Sequence, residues 1–276
     1  MSIDRLDALL RHFAVSADMF HSGPLCGIND FAPRAGIGQL HLVRRGPVKV
    51  RHGTRRRHDT VDEPSLLFYP RPLAHRFITD IDRGADMACA DLAFHAGAVS
   101  PLALALPPVV VMRLAELGDA APVLELLFRE AFGQRCGRKA VVNRLFEVVL
   151  IHLLRTLMDR GAVDQGLLAG LAHPRLAHSL VAIHESPARA WTLQALAQAS
   201  GMSRSAYAQV FRAVVGTTPG DYLAGWRLTL AQDRLARGEP LKRIVDDVGY
   251  GSAAALSRAF KARLGVSPRA WRAQAG

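Results

Sequence analysis

The 276-residue sequence predicts an α+β protein of two domains. The first is a small β-barrel followed by dimerisation helices, and the second is an all-α domain with two helix-turn-helix motifs joined by a linker helix. Three observations carry this prediction. The last hundred residues hold one helical pattern twice, and the first hundred hold short apolar runs broken by Gly, Pro and Asp clusters. The charge is also unevenly shared. Residues 173–276 have 14 Lys+Arg against 6 Asp+Glu while the remainder have 21 against 18, which places +8 of the net +11 in the repeat.

From the N-terminus, Met1-Ser-Ile-Asp-Arg-Leu-Asp-Ala-Leu-Leu10 is a mixed-charge amphipathic helix rather than a signal peptide. Strands follow at Gln39-Leu-His-Leu-Val-Arg-Arg-Gly, Val48-Lys-Val-Arg-His-Gly, Ser65-Leu-Leu-Phe-Tyr-Pro and Ala88-Cys-Ala-Asp-Leu-Ala-Phe. A basic run, Arg44, Arg45, Lys49, Arg51, His52, Arg55, Arg56, Arg57 and His58, surrounds a hairpin turn at His52-Gly53-Thr54. It reads as a solvated loop, with an anionic effector or nonspecific DNA contact as alternatives. Helices are predicted over 122–132 and 138–160. In the second, Val141, Val142, Leu145, Val148, Val149, Ile151, Leu153, Leu154 and Leu157 are apolar over more than half the circumference, enough to pack on the barrel and meet a second copy as a homodimer. Asn143, Arg144, Glu147, His152 and Arg155 exclude a membrane span there. Asp159–Leu171, with Gly161, Gly166 and Gly170, is expected to be the interdomain linker, giving domains 1–165 and 173–274 and a cytoplasmic protein without membrane association.

The repeat aligns Leu193 with Leu241, Leu196 with Ile244 and Gly201 with Gly249 at an offset of 48. One inserted residue then shifts the offset to 49, pairing Ser203 with Ser252, Phe211 with Phe260, Gly216 with Gly265 and Pro219 with Pro268. Each copy reads as a helix stopped at a left-handed glycine, a serine N-cap, and a second helix that buries Tyr207, Val210 and Phe211 or Leu256, Ala259 and Phe260. Arg204, Ser205, Ala208, Gln209 and Arg212 remain outward in the first copy, and Ala253, Ala254, Ser257, Arg258 and Lys261 in the second. Small, amide, hydroxyl and cationic side chains suit a major groove. Between the copies, Tyr222–Arg237 reads as a continuous helix that turns Leu223, Trp226, Leu230, Ala231 and Leu235 inward and Arg227, Arg234 and Arg237 outward. A rigid helical link would hold the two reading helices the roughly 34 Å apart that successive major grooves require.

His173-Pro-Arg-Leu-Ala-His, Ile183-His-Glu-Ser-Pro-Ala-Arg-Ala-Trp-Thr-Leu193, both repeats, Arg227-Leu-Thr-Leu-Ala231 and Gly265-Val-Ser-Pro-Arg-Ala-Trp271 resemble the AraC/XylS family of transcriptional regulators. The resemblance implies double-stranded DNA and RNA polymerase as partners and an activator as the function. It implies base reading by Ser205, Ala208, Gln209, Ala253, Ala254, Ser257 and Arg258, and phosphate contact by Arg204, Arg212 and Lys261. The alanines depart from the more polar reading faces of the family. They can meet a thymine methyl without hydrogen bonding, so one half of the site is expected to be less specific.

Tyr69-Pro-Arg-Pro-Leu-Ala-His-Arg, with Leu104-Ala-Leu-Pro-Pro, resembles the cupin-type sensor domain that precedes some modules of this family. That resemblance implies a small-molecule or redox signal. His41 and His75 stand where a cupin would place metal ligands, but Val43 replaces the second histidine of a His-x-His pair. They are candidates for an effector contact, for a metal ion shared with His21 or Cys89, or for ordinary partly buried histidines. Cys26 and Cys89 are candidate redox partners, with a plain core role for Cys89 as the alternative. A rival class is a cupin metal-binding protein or enzyme with a helical appendage. A DNA-repair methyl acceptor would need an activated cysteine in a Pro-Cys-His-type setting, which the sequence lacks.

Overall fold

The computed structural model describes residues 3–54, 57–94 and 100–275. Arg55 and Arg56 of the basic run, and the first two residues of the expected N-terminal helix, lie outside them. The chain divides into two compact units, one of Val15–Phe94 with Leu106–Arg160 and the other of Met1–Ala14, His95–Ala105 and Gly161–Gly276.

Among the described residues the first unit holds nine strands: β1 (Val15–Leu25), β2 (Ile28–Phe31), β3 (Ile37–Arg45), β4 (Val48–His52), β5 (Asp59–Val61), β6 (Ser65–Tyr69), β7 (His75–Ile78), β8 (Ala85–Phe94) and β9 (Val110–Arg113). They form a five-stranded sheet in the order β1-β8-β3-β6-β9 and a four-stranded sheet in the order β2-β7-β4-β5. The expected closed barrel is therefore corrected. Closure needs every edge strand to pair with another, and here β1, β9, β2 and β5 each end a sheet. The strand runs themselves were visible as alternating or apolar segments. Which strands pair is set by contacts distant in sequence, such as β1 with β8, and periodicity is silent on those.

Val43, Val48, Val50, Val61, Leu67, Phe77, Met87 and Cys89, drawn from both sheets, form one buried cluster. Leu40, Leu42, Leu66 and Phe68, at alternate positions in β3 and β6, are fully buried too, so both faces of the larger sheet are covered. Strand β1 tolerates Pro24 because it is an edge strand with an open side. A helix serves two N–H groups of that strand: Asn143 Oδ1 accepts from Met19 N at 2.8 Å and Glu147 Oε1 from Ala17 N at 3.2 Å. These are two of the polar side chains that interrupt the helix, and the strand edge they satisfy gives them a role.

The helices in chain order are α1 (Asp7–His12), α2 (Pro101–Leu104), α3 (Ala121–Ala131), α4 (Arg138–Asp159), α5 (Leu167–Ala172), α6 (Leu176–Glu185), α7 (Leu193–Ala199), α8 (Arg204–Val215), α9 (Pro219–Ala236), α10 (Leu241–Asp247), α11 (Ala253–Leu264) and α12 (Pro268–Ala275). Helices α3 and α4 occupy the two predicted spans. Val142, Val149, Leu153, Leu154 and Leu157 of α4 are buried, whereas Val141 and Val148, two turns apart, remain 41% and 36% exposed.

In the second unit the expected linker is half helix. Leu167, Leu168 and Leu171 of α5 are buried. Gly170 packs closely there, where a Cβ would lie 2.6 Å from Leu180 Cδ1 and 3.0 Å from Val215 Cγ2. Helix α1 belongs to this unit as well. Leu9 and Phe13 are fully buried, Phe13 meets Trp226 edge-on at 5.1 Å, and His12 Nε2 donates to the His184 carbonyl at 3.0 Å.

Candidate nucleic-acid interface

The two motifs share their turns and the caps of their second helices in the same register, although α10 starts at Pro240 without the side-chain cap that α7 has. Helix α7 starts at Thr192, whose hydroxyl accepts from Ala195 N at 3.1 Å, and stops at Gly201, with φ of +60°. Met202 N then closes on the Ala197 carbonyl at 2.9 Å. In the second copy α10 stops at Gly249, with φ of +77°, and Tyr250 N closes on Val245 at 3.0 Å, the same bond 48 residues on. These are the turns for which glycine was singled out in the sequence. Gly249 is doubly constrained, because a Cβ would stand 2.7 Å from the Ala188 backbone.

Ser203 Oγ accepts from Ala206 N at 3.3 Å and Ser252 Oγ from Ala255 N at 3.1 Å, so the predicted serines cap α8 and α11. Tyr207, Phe211, Leu256 and Phe260 are fully buried and fix which face each helix turns inward. Both helices end in left-handed glycines, Gly216 and Gly265. Thr218-Pro219 and Ser267-Pro268 then start α9 and α12, each with a hydroxyl cap and proline in the first turn. The repeat extends one position further than the sequence comparison took it. Tyr222 and Trp271, 49 apart, meet Phe211 and Phe260 edge-on at 5.6 and 6.1 Å.

Arg204, Ser205, Gln209 and Arg212 are exposed on α8, with Ala208 half-buried among them. Ala253, Ala254, Arg258 and Lys261 are exposed on α11, with Ser257 half-buried. The ten residues assigned to DNA thus lie on the outer faces of two capped helices. Sequence reasoning passed over Lys242 and Arg243, which are exposed in the first turn of α10 opposite Gln194 and Ala195 of the first copy. The offset of 48 was enough to find them.

Helix α9 is continuous over 18 residues, about 27 Å at 1.5 Å per residue. Leu223, Trp226, Leu230, Ala231 and Leu235 are buried in it as expected. Its arginines are not free outward charges. Arg227 donates to the carbonyls of Pro187 and Arg189 at 2.8 and 2.9 Å, Arg234 pairs with Asp247, and Arg237 pairs with Asp233 at 2.8 Å. They tie the connecting helix to its neighbours.

The N-terminal candidates gather in the sheets. His21, Cys89 and His41 stand side by side across β1, β8 and β3. His41 is fully buried, and its Nε2 lies 2.9 Å from Nε2 of His75. His75 Nδ1 donates to the Leu73 carbonyl at 2.9 Å, so its Nε2 accepts and His41 Nε2 must carry the proton. That leaves His41 Nδ1 as a buried acceptor without a partner. His75 is stacked between Tyr69 at 3.8 Å and Phe31 at 4.8 Å. Burial holds His41 well below the usual histidine range and lowers His75 to about 4. The two imidazoles are spent on each other, and among the described residues no group of three or more His, Cys, Asp or Glu is placed to hold a metal ion.

The structure does not bring the candidate thiols together. Cys26 is exposed and Cys89 buried. Cys89 pairs with His21, five residues along the chain from Cys26, or roughly 16 Å of strand at about 3.3 Å per residue, whereas a disulfide needs Cα atoms within about 7 Å. Burial also pushes the Cys89 thiol up, away from the thiolate a redox sensor uses.

Comparison with known proteins agrees with this architecture. Residues 4–159 match the family model described as Cupin, and residues 196–274 match that of a helix-turn-helix domain. The chain belongs to the AraC/XylS family of DNA-binding transcriptional regulators, with an N-terminal cupin-type domain and a C-terminal helix-turn-helix domain. A putative AraC-like transcription regulator of Streptomyces antibioticus is 40% identical over 171 residues, and one of Streptomyces lividans 42% over 172. Each alignment covers 60% of this chain but only 56% of the relative, so the chain matches little more than half the length of either. The RCS-specific HTH-type transcriptional activator RclR of Escherichia coli (strain K12) is 28% identical over 280 residues and aligned over 97% of both chains. All three relatives are regulators rather than enzymes. The crystal structure of the AdpA DNA-binding domain with a target DNA covers 37% of this chain at 28% identity, with a TM-score of 0.36. No helix among the described residues is long and apolar enough to cross a membrane.

Proposed function

We propose that the chain is a sequence-specific transcriptional activator whose two motifs enter successive major grooves of one DNA site, α8 specifying bases and α11 chiefly holding the duplex. The observation that carries this reading is the matched pair of capped helices with unlike outer faces. Gln209 can pair with an adenine edge, Ser205 and Ala208 complete the first reading surface, and Arg204 and Arg212 reach phosphates. On α11 only Ser257 and Arg258 can hydrogen-bond bases, Ala253 and Ala254 offer methyl contact, and Lys261 faces the backbone.

The N-terminal domain receives the signal in this reading. The unpartnered Nδ1 of His41, beside His75 and the rings of Phe31, Tyr69 and Phe77, offers an acceptor to a small effector or a redox-active species. RclR, named as an RCS-specific transcriptional activator, supports a signal-specific activator as the reading. The exposed Val141 and Val148 of α4 are the surface for a homodimer, and RNA polymerase is the partner through which bound protein activates. Binding of the full chain to its selected DNA site, measured for Arg258→Ala and Arg212→Ala at several salt concentrations, tests the roles. Arg258→Ala should relax one base position. Arg212→Ala should weaken every sequence alike and flatten the salt dependence. The opposite pattern exchanges the two roles.

A further inference from the structure

The helical unit contains a cleft of about 450 Å³ that no step of DNA recognition uses. Its walls come from α2, the chain before α5, helix α9 and the end of α11, all within the one compact unit. Leu104, Leu167, Trp226, Leu228 and Leu264 make most of the lining apolar. Leu104 is 56% exposed at its mouth, an unusual position for a large aliphatic side chain. The volume lies in the range of small-molecule sites.

The charge of the lining has one sense. Among the described residues the lining holds a single cation, Arg263, and no Asp or Glu. Among the described residues Arg263 makes no ion pair or hydrogen bond. Its guanidinium lies against α9 at Gly225, where a Cβ would meet Nη2 at 3.0 Å. Glycine is a poor choice inside a helix, and here it lets the guanidinium of exposed Arg263 lie close against the α9 backbone. Two further donors of the lining residues, Trp226 Nε1 and Gln232 Nε2, are buried without acceptors. A largely apolar cleft with one unpaired cation and no carboxylate fits a ligand with an acceptor-only head on an apolar body.

We propose that this cleft is a binding site for an amphiphilic carboxylate, its head on Arg263 and its apolar or aromatic body against Trp226, Leu228 and Leu264. The site is separate from the His41–His75 cluster and stands whether or not that cluster receives a signal. A ligand there touches both the connecting helix and the last turn of the second reading helix. It would therefore bias the second motif directly.

Calorimetry on the full chain with 4-phenylbutyrate, and with 4-phenylbutan-1-ol as its uncharged counterpart, tests the proposal. Saturable binding at one site is expected, with the alcohol at least tenfold weaker. Arg263→Gln should lower carboxylate affinity tenfold or more without moving the thermal midpoint, and Leu104→Trp, which fills the mouth from an exposed position, should reduce binding of both compounds. Equal binding of acid and alcohol, undiminished binding to Arg263→Gln, or no binding at millimolar concentration overturns it. So does an Arg263→Gln chain that binds the acid normally but shows a flatter salt dependence with DNA, since Arg263 would then be a phosphate contact.

Discussion

The two helix-turn-helix motifs share a skeleton and differ in everything hung on it. In the first, Tyr207 donates to Ser179 Oγ inside the core at 3.1 Å, and Tyr222 lies 2.6 Å from the buried Nε2 of His184. In the second, the matching places hold Leu256 and Trp271, and the Trp271 indole N–H is buried without a partner. The outer faces contrast in the opposite sense. The first motif has two cations, Arg204 and Arg212, around an amide and a serine, while the outer face of the second presents Lys242, Arg243, Arg258 and Lys261 around alanines. Polar bonds that orient the first helix accompany a face suited to reading bases. A simpler core accompanies a face suited to holding phosphates. Geometry set by the skeleton and chemistry set by the faces can therefore vary independently within one domain.

The largest test removes the core of each motif in turn. Phe211→Ala should cost about 5 kcal/mol and Phe260→Ala about 3 kcal/mol, the ends of the range for a buried phenylalanine. Phe211 packs on both Tyr207 and Tyr222, whereas among the described residues Phe260 has only Trp271 as an aromatic neighbour. Denaturant unfolding of the two variants measures the difference, and equal losses would mean the second core is as well built as the first.

Next in size, Arg258→Ala should lower affinity for the selected site by about 1–3 kcal/mol. Arg258 is the only cation among the base-reading candidates of α11, so nothing on that face can replace it. Competition binding against single-base variants of the site checks this, and a loss that is uniform across them would move Arg258 to the phosphates.

Acid should separate the motifs as well. Burial lowers His184 to about 3, with His12 also lowered by its own burial nearby, while the second core contains no histidine. The unfolded chain takes up a proton near pH 6.5 that folded His184 refuses until about pH 3. Stability is thus complete above 6.5 and falls between 6.5 and 3, by up to about 1.4 kcal/mol per pH unit for this group. Hydrogen exchange at pH 5 against pH 7 should show α6–α8 losing protection more than α10–α12. Equal loss would place the acid sensitivity elsewhere. The smallest effect is expected at the caps, where Ser203→Ala and Ser252→Ala should each cost about 1 kcal/mol because both make the same bond.

How much was legible in the sequence follows the range of the interactions. The glycine stops, the serine caps and the buried faces of α8 and α11 depend on neighbours within a turn or two, so spacing alone located them. The strands of the N-terminal unit were visible for the same reason, yet their closure into a barrel was not borne out. The position of β3 between β8 and β6 depends on pairings far apart in sequence, and β1 was hidden by the Gly23-Pro24 that its edge position allows. His41 and His75 were singled out separately, and only the fold places their Nε2 atoms 2.9 Å apart. The packing of Leu9 and Phe13 in the helical unit had no sequence signal beyond amphipathicity.

Selection of the full chain against random-sequence DNA tests the central claim most directly. The account predicts two half-sites about one helical turn apart, one with strong base preferences that weaken in Gln209→Ala, the other with weak preferences centred on the position read by Arg258. Two halves of equal strength, or a defined half unaffected by Gln209→Ala, would contradict it.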